Sequence, residues 1–437
     1  MQIPTYSGRV DKYPPNNILL TAAINRLIYH IDILCSQQLT AVINHTEFLR
    51  LEASWLSVFE VVNVPVAKQR VNIKLLDYSW QPLAFELNTA FSIKQTRLFH
   101  LIYHQELNTA GGLPFGLVLI DHRLKFNADD EYDDLYTAQR LAELGEQSLC
   151  PIVLSCDLTF LGDNNNNQWI DLNKMARILQ SEDYTLWHLL REHASAKYLY
   201  LTLPDFILRK NYQTQVMGFI FYTDNDPRQI LWGNSAYLLC MNIIREFERI
   251  SWFGFLRAYD ENGRNGAIIQ SLNNGMPIIG KIDIPSEQEN FWAEQGFIPF
   301  SSIYLSGQKG FFSNYSVQKL NYKHNRQLSM LQTNLIACRF AHFIKMRIRN
   351  HIGLYDTIDD CKQSIEQWLK KYVSEVDYGE ESIMADYPLK QCTVAIEADP
   401  DDPTRYLCQI NLRPQYQYEI NESDIQIAVS LAAQDVG

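Results

Sequence analysis

A candidate phosphate-binding loop is the first stretch of this sequence that could do chemistry. Gly275-Met-Pro-Ile-Ile-Gly-Lys281 has the glycine and lysine spacing of a loop whose backbone N–H groups cradle phosphates. In such loops a serine or threonine follows the lysine and binds Mg²⁺, but here Ile282 follows. Pro285 stands where the next helix should make its second turn. The pattern argues against nucleotide binding, although Gly280-Lys281 keeps a nucleotide-dependent α/β enzyme as an alternative.

Two further stretches have partial metal-ligand spacing. His100 and His104 would share a helix face, as two zinc ligands do, but the glutamate of a metalloprotease motif is absent between them. Asp163, Asn165 and Asn167 match the first ligands of a calcium loop, whose glycine and closing glutamate are replaced here. We therefore expect no metal site, no cofactor and no catalytic residues, and an enzyme is the weaker class of protein.

Composition indicates a globular protein with an acidic surface. Of 437 residues, 46% are hydrophobic and 20% are charged. The net charge of −12 argues against a partner with many phosphates, such as a nucleic acid or an anionic membrane. We expect no secretion signal and no apolar run as long as the roughly 18 residues of a membrane span. The eight cysteines contain no Cys-x-x-Cys pair, which is typical of reduced cytosolic thiols.

Two helices are predicted near the N-terminus. The first has an apolar seam, here called the N-terminal seam, with spacings of 4, 3, 4 and 3 residues; it consists of Leu20, Ile24, Leu27, Ile31 and Leu34. The second is predicted to start near Asn44, and one face carries Phe48, Leu51, Trp55 and Val58. Two interpretations stay open: these are ordinary core helices, or the seam docks a helix of a partner.

The central part of the chain alternates between β-rich runs and helix-like stretches. The predicted strands are Val71–Leu76, Phe115–Ile120, Pro151–Cys156, Tyr198–Leu203 and Gly218–Tyr222. The predicted helices between them are 135–147, 171–180 and 235–250. Such alternation predicts an α/β region with some parallel sheet.

A basic helix is predicted over residues 332–350. No acidic residue occurs from Gln332 through Leu354, in a protein that is acidic overall. At about 100° per residue, four side chains share an arc of about 120°; they are Arg339, His342, Lys345 and Arg349. The opposite side carries Ile336, Phe340, Phe343, Ile344 and Ile348. The basic face either pairs with the acids of this chain or docks on an acidic partner.

Alternating strands are predicted at the C-terminal end. Residues 392–396 and 406–410 alternate between apolar and polar on either side of the turn at 399–403, which predicts a hairpin. The apolar positions of the final strand are Ile425, Ile427, Val429 and Leu431. A strand at this place is either internal to a sheet or an edge that exchanges with another chain.

An ordered series of short stretches resembles a known family. They are Phe48–Trp55, Gly111–Gly116, Tyr198–Pro204 with Arg209 and Tyr212, Leu231–Tyr237, Gly296–Pro299, Arg339–Lys345 with Ile352-Gly353, Tyr387–Leu389 and Leu412–Pro414. From about Gln38 to Leu431 the chain resembles the large sheath subunit of the bacterial type VI secretion system. It departs from the family pattern at Trp55-Leu56-Ser57 and at Gln415, so the resemblance is to a divergent member.

The resemblance implies a mixed fold of the α/β (α+β) class and a structural role without an active site. We predict residues 1–60 as an arm and helices that pair with a small sheath subunit. Residues 61–325 are predicted as a central α/β domain. Residues 326–437 are predicted as a C-terminal sheath-core domain with a helix and an antiparallel or mixed sheet. Contraction of the assembled sheath would drive an inner tube into a target cell.

The resemblance also implies partners. They are a small sheath subunit, neighbouring sheath protomers, the inner tube protein and a baseplate that docks the assembly to the envelope from the bacterial cytoplasm. A AAA+ ATPase dismantles contracted sheaths, and in the family it recognises an N-terminal arm longer than the 37 or so residues before the match here. We expect no nucleic acid and no membrane insertion.

The resemblance also implies a role for each of the three predicted surfaces. The N-terminal seam would face the small subunit, the basic face of helix 332–350 the tube, and the strand 425–431 a neighbouring protomer. A soluble α/β enzyme and a baseplate or capping paralogue that does not polymerise are the alternatives.

Overall fold

The computed structural model describes most of the chain. The described residues are 15–66, 70–126, 132–162, 171–209, 212–216, 219–222, 230–260, 265–304, 306–319, 327–350, 358–376, 380–398, 405–415 and 425–432. The chain divides into two compact units. The first comprises residues 1–56 and 207–232, and the second comprises residues 57–206 and 233–437.

Helices and strands alternate through the described residues. The α-helices are α1 (Pro15–Ile43), α2 (Thr46–Val62), α3 (Trp80–Thr89), α4 (Arg97–Phe99), α5 (Asp134–Ser148), α6 (Leu172–Leu179), α7 (Thr185–Glu192), α8 (Ser235–Ile250), α9 (Glu289–Glu294), α10 (Leu331–Asn350), α11 (Ile358–Lys370) and α12 (Glu381–Asp386). A π-helix, His100–Leu107, continues α4. The strands are β1 (Val118–Leu124), β2 (Ile152–Cys156), β3 (Leu199–Leu203), β4 (Phe206–Arg209), β5 (Gln213–Val216), β6 (Phe219–Tyr222), β7 (Leu231–Gly233), β8 (Ile298–Pro299), β9 (Ser301–Ser302), β10 (Lys309–Gly310), β11 (Leu389–Ala398), β12 (Arg405–Pro414) and β13 (Ile425–Ala432).

A four-stranded parallel sheet forms the centre of the second unit. Its strand order is β1-β2-β3-β8, and Ile152 of β2 lies opposite Val118 of β1 and Leu199 of β3. Parallel neighbours need a crossover connection, which α5 supplies between β1 and β2, and α6 with α7 between β2 and β3. The parallel sheet predicted from the alternation is therefore confirmed.

Both faces of this sheet are covered, which explains why β2 and β3 are buried along their whole length. On one face, Leu154 and Leu201 pack in the cluster that contains Leu141 of α5. On the other face, Thr202 accepts a hydrogen bond of 2.9 Å from the hydroxyl of Ser235, the first residue of α8. The sheet is thus a layer between α5 and α8.

The C-terminal region forms a three-stranded antiparallel sheet with the order β11-β12-β13. Val394 lies opposite Ile410, and Ile410 lies opposite Ile427, so the predicted hairpin and its final strand are confirmed. Apolar residues of this sheet pack against α10 and α11. The buried members of the cluster include Ile336, Phe340, Ile344, Ile365, Leu369, Val394, Cys408 and Ile410.

Within the first unit, a buried ion pair joins α2 to β4. The Nη2 atom of Arg209 donates to Oε2 of Glu52 at 2.8 Å, and both side chains are almost fully buried. The ring of Tyr212 lies 4.2 Å from the Arg209 guanidinium, and its hydroxyl also contacts Glu52. A carboxylate that accepts from a guanidinium in this way forms a strong charge-assisted contact.

Three predicted strands differ from the structure. The run predicted at Phe115–Ile120 supplies only the start of β1, which spans Val118–Leu124. The run Val71–Leu76 has strand composition, but among the described residues no strand pairs with it. The run Gly218–Tyr222 supplies β6, which pairs antiparallel with β5 and lies outside the parallel sheet. Local pattern predicts an extended chain, whereas the partner of a strand is decided by residues far away in sequence.

Candidate assembly surfaces

The N-terminal seam lies on the surface of α1. Its five residues, Leu20, Ile24, Leu27, Ile31 and Leu34, are 46% to 62% exposed. Large apolar side chains elsewhere on the helix are exposed too, among them Ile18, Leu19, Ile28 and Tyr29. Apolar residues on a helix of a globular protein normally face a core. α1 instead presents an apolar surface on more than one side.

The composition of α1 also satisfies the length and hydropathy of a membrane span. Residues Ile18–Ile43 contain an 18-residue window of mean hydropathy 1.5, of which 0% is buried. The expectation that the chain has no such run is therefore wrong. The two charged residues in this stretch, Arg26 and Asp32, are separated by apolar residues and do not lower its mean hydropathy enough to fail the criterion. Core helices of soluble proteins satisfy the same criterion. The feature that needs an explanation is therefore the exposure of α1.

α2 has two apolar faces. The buried face holds Ala53, Ser57 and Val61, and Val61 packs in a cluster with Tyr237 and Ile244. The exposed face, here called the docking stripe, consists of Phe48, Leu51, Trp55, Phe59 and Val62. At about 100° per residue these five side chains share an arc of about 80°. Trp55, the largest, is 61% exposed.

The docking stripe differs in part from the face predicted for this helix. Phe48, Leu51 and Trp55 were expected to share a face with Val58, but Val58 packs in the cluster of Val61. Phe59, which the prediction omitted, takes its place on the exposed side. The spacing of 3, 4, 4 and 3 residues through the stripe is the sequence signal that could have found it.

The four residues of the predicted basic face have different environments on α10. His342 is 8% exposed, and burial lowers the pKa of its ring to about 4, although backbone hydrogen bonds to Leu149 and Ser148 oppose the shift. The Arg339 guanidinium lies 4.7 Å from the ring centre of Phe247. The Lys345 ammonium contacts the hydroxyl of Tyr103 and lies 4.2 Å from its ring centre.

The exposed side of α10 therefore differs from the predicted division into a basic face and an apolar face. Arg349 lies within the helix, and its side chain is outside the described residues. Phe343, expected on the apolar side, is 48% exposed, and the Arg339 guanidinium lies 5.8 Å from its ring centre. Cation–π contacts of this kind stabilise a partly desolvated guanidinium. Arg339 and Lys345 contact aromatic rings of the same chain, whereas His342 points inward and is neutral at pH 7.

The final strand pairs with its own chain on one side. Val429 of β13 lies opposite Cys408 of β12, and Ile425 is buried against the same sheet. The side chains of Ile427, Val429 and Leu431 are outside the described residues. No other described strand pairs with the outer edge of β13. An open edge of this kind can accept a strand of another chain.

The stretch considered for nucleotide chemistry does not form an open site. A Cβ at Gly280 would meet the Ile282 carbonyl oxygen at 2.6 Å and the Phe300 ring at 3.0 Å. The Lys281 N–H donates to the Asp205 carbonyl at 2.7 Å. The loop is thus packed against its own chain. The next helical residues, the 3₁₀ turn Ser286–Gln288 that continues into α9, begin five residues after Lys281, whereas a phosphate loop leads directly into a helix N-terminus.

The histidines considered as zinc ligands lie on the π-helix with ring centres 5.5 Å apart. Among the residues that the structure describes, no three His, Cys, Asp or Glu side chains come together as a metal site. His104 meets the rings of Phe99 and Tyr103 edge to face. The calcium-like stretch at 163–167 lies outside the described residues.

Exposed apolar helices and an open strand edge are typical of proteins that assemble with other chains. Comparison with known families gives the identity. Residues 25–318 match the EvpB/VC_A0108 tail sheath N-terminal domain, and residues 321–431 match the tail sheath gpW/gp25-like domain of the same family. This chain belongs to the EvpB/VC_A0108 tail sheath family, as a divergent large sheath subunit of a type VI secretion system.

A curated relative supports the same assignment. The chain is 25% identical over 423 residues to the type VI secretion system sheath protein TssC1 of Pseudomonas aeruginosa strain PAO1, which is 91% of this chain and 83% of that protein. The family match and this relative together show that the protein is a structural subunit of a contractile sheath.

Solved sheath tail proteins are also similar. The one from Desulfitobacterium hafniense is 8% identical with a TM-score of 0.31, over 69% of this chain and 62% of that chain. The one from Listeria innocua is 8% identical with a TM-score of 0.28, over 68% of this chain and 60% of that chain. The match therefore spans about three fifths of the solved chains.

Proposed function

We propose that this protein is the large subunit of a contractile sheath that pairs with a small sheath subunit through α1 and α2. The observation that carries the proposal is the docking stripe, an unbroken apolar line on the outside of α2 that the described chain leaves exposed. A narrow apolar stripe on the outside of a helix is typical of a helix that packs along another helix. The N-terminal seam on α1 offers a second such line, Leu20, Ile24, Leu27, Ile31 and Leu34.

The stripe can supply a large part of the pairing energy. Full burial of an aromatic side chain stabilises by about 1.5 to 3 kcal/mol, and Trp55 and Phe59 retain about half of their surface for a partner. Truncating both should remove roughly 2 to 4 kcal/mol of binding. That loss weakens the pairing roughly 30- to 1,000-fold.

The remaining contacts of the sheath follow from the same assignment. In this proposal the basic residues predicted on α10, Arg339, Lys345 and Arg349, face the inner tube. β13 adds a strand to, or accepts one from, a neighbouring protomer, which suits its open outer edge.

The assembly is cytoplasmic and docks on the envelope through a baseplate. The work is mechanical, because rearranged interfaces between rigid subunits release the stored free energy. The role needs no active site.

The test is co-expression with the candidate small subunit, followed by affinity capture and negative-stain electron microscopy. The parent chain should capture the small subunit and form long hollow tubules. The double variant Trp55→Ala, Phe59→Ala should lose at least 90% of the captured small subunit and form no tubules. Phe91→Ala is the matched control, because Phe91 is 96% exposed and lies outside α1 and α2. Discrete particles from the parent chain would refute the sheath role, and full capture by the double variant would refute the role of the stripe.

Deletion of β13 tests the contact between protomers separately. Removing residues 425–437 should block tubule growth and leave capture of the small subunit at the parent level. Tubules of normal length from this truncation would exclude the proposed role of the strand.

A further inference from the structure

Two histidines of the π-helix lie next to each other on the surface. His100 and His104 are both exposed, and their ring centres are 5.5 Å apart with an angle of 38° between the ring planes. Because a π-turn contains more than four residues, side chains four positions apart lie nearly above one another. The two imidazoles therefore share one side of the first turn of this helix. We call them the histidine pair.

The ring nitrogens of the histidine pair are available as ligands. Among the described residues, neither imidazole takes part in a hydrogen bond or an ion pair. It is the backbone carbonyl of His104, and not its ring, that accepts from the Thr109 hydroxyl at 2.5 Å. A neutral imidazole has one nitrogen with a free lone pair, which binds either a proton or a metal ion.

The separation of the two rings fits a shared metal ion. A transition metal binds an imidazole nitrogen at about 2.0–2.1 Å, which puts the ion about 3.2 Å from the ring centre. Two such rings at a tetrahedral angle have centres about 5.2 Å apart. The 5.5 Å between His100 and His104 differs from this value by about 0.3 Å, which a small rotation of one side chain supplies. One ion can therefore bind both rings while the backbone keeps its conformation.

Aromatic contacts orient the second histidine of the pair. The His104 ring meets the rings of Phe99 and Tyr103 edge to face, at 5.5 Å and 5.3 Å between centres. Phe99 is buried and stacks on Tyr103 at 4.8 Å, so this support belongs to the core. A ligand that is oriented before the ion arrives loses less conformational freedom on binding.

The carboxylate nearest in sequence is already occupied. Glu106 pairs with the Lys74 ammonium and accepts from the Leu113 N–H at 3.0 Å, and both contacts lower the pKa of its carboxyl. Within the described part of the chain, no third His, Cys, Asp or Glu side chain joins the histidine pair. The pair therefore offers two protein ligands and leaves the other coordination positions to water.

We propose that His100 and His104 together bind one divalent transition-metal ion. Imidazole nitrogen is a preferred ligand of Zn²⁺, Cu²⁺ and Ni²⁺, whereas Mg²⁺ and Ca²⁺ prefer oxygen ligands. The proposal departs from the expectation of no metal site, which the missing glutamate of a metalloprotease motif had favoured. It is independent of the proposed sheath function. The bound ion would cross-link the first turn of the π-helix.

Chelation gives the site a signature in mutants. Because both histidines belong to one ordered turn, the second imidazole binds at a high effective concentration once the first has bound. Loss of either histidine should therefore remove most of the affinity, and loss of both should remove little more. Two histidines that bind separate ions would instead lose one ion per substitution.

Isothermal titration calorimetry with Ni²⁺ on the full-length chain tests the proposal. The chain is produced without a polyhistidine tag and is freed of metal with a chelator. The parent should bind one Ni²⁺ at this site. His100→Gln, His104→Gln and the double variant should each weaken binding at least about tenfold, by similar factors. Cu²⁺ should bind more tightly than Ni²⁺, and Mg²⁺ should not compete.

The matched control is His45→Gln, because His45 is also exposed and lies between α1 and α2. It should bind Ni²⁺ within about twofold of the parent, since it leaves the chelating pair intact. Ni²⁺ should also raise the melting temperature of the parent and of this control, but not that of the three variants of the pair. Circular dichroism shows that every variant is folded at the assay temperature.

Four results would overturn the proposal. They are no Ni²⁺ binding by the parent, unchanged binding by either single variant, additive losses that indicate two separate ions, and competition by Mg²⁺, which would indicate oxygen ligands. An effect of His45→Gln as large as that of His100→Gln would show unspecific binding to surface histidines and would refute the site as well.

Discussion

The stability of this protein in acid should depend on two buried groups whose pKa values are shifted in opposite directions. His342 is 8% exposed, and burial lowers the pKa of its ring from 6.5 to about 4. Glu289, the first residue of α9, is 5% exposed, and burial raises the pKa of its carboxyl from 4.5 to about 7. A hydrogen bond of 3.1 Å with Ser301 opposes the shift of Glu289 without reversing it.

The sign of each contribution to the free energy of unfolding depends on which protonation state of the group the folded protein stabilises. The fold prefers neutral His342, so its stabilisation is complete above pH 6.5 and is lost as the pH falls toward 4. The fold prefers protonated Glu289, so its stabilisation is complete below pH 4.5 and is lost as the pH rises toward 7. At about 1.4 kcal/mol per pH unit, each group changes the free energy of unfolding by about 3 kcal/mol across its window.

In the parent chain these contributions largely cancel between pH 7 and pH 4.5, and substitution separates them. On acidification over that range, His342→Gln should gain roughly 2 to 3 kcal/mol of unfolding free energy relative to the parent, and Glu289→Gln should lose roughly the same amount. The assay is urea unfolding followed by tryptophan fluorescence at both pH values. A packing defect that is the same at both pH values cancels in the difference. Identical pH responses of the parent and both variants would refute the assigned environments.

Two further predictions concern single contacts, and a third concerns the basic residues of α10. Glu52→Gln should lower the free energy of unfolding by about 3 to 5 kcal/mol, because it removes the buried carboxylate that pairs with the Arg209 guanidinium; a loss below about 1 kcal/mol in urea unfolding would contradict this. Gly145→Ala should destabilise by about 1 to 3 kcal/mol, because the added Cβ would meet the Cys150 carbonyl oxygen at 2.9 Å; an unchanged melting temperature would contradict the close packing of α5. The third variant reverses the charges of α10 and should co-sediment less with the inner tube while remaining folded at the assay temperature, as checked by circular dichroism; unchanged co-sedimentation would remove α10 from the tube interface. Its substitutions are Arg339→Glu, Lys345→Glu and Arg349→Glu.

The tests of α1 and α2 share one physical argument. Each helix leaves apolar side chains exposed that a stable monomer would bury. The proposed function places these side chains at an interface with the small subunit. The chain alone should therefore be prone to association, and the small subunit should raise its solubility.

Several elements could be predicted because their pattern is local. β2 and β3 are short, mostly apolar runs, and α8 was predicted with its observed bounds, 235–250. The hairpin of β11 and β12 follows from the alternation of residues on either side of a turn. The domain boundaries after residues 60 and 325, and the roles given to the three surfaces, stay predictions.

The predicted basic face of α10 is an example of what the local sequence pattern could not predict. The helix bounds were predicted within one residue, yet His342 faces inward and Phe343 outward. An angular plot places side chains relative to one another but does not give the rotation of the helix against its neighbours. That rotation is set by the packing of Phe340 and Ile344 against the C-terminal sheet.

The sequence by itself determined the alternation of strands and helices, the acidic balance, the absence of a complete catalytic or metal motif and the family resemblance. These properties depend on residue type and short-range spacing. Only the tertiary structure decided that the docking stripe is exposed, that His342 is buried and that the run Val71–Leu76 pairs with none of the described strands. The physical reason is that burial and strand pairing are made by residues distant in the chain, whereas a periodic pattern shows only that a face is apolar and not what covers it.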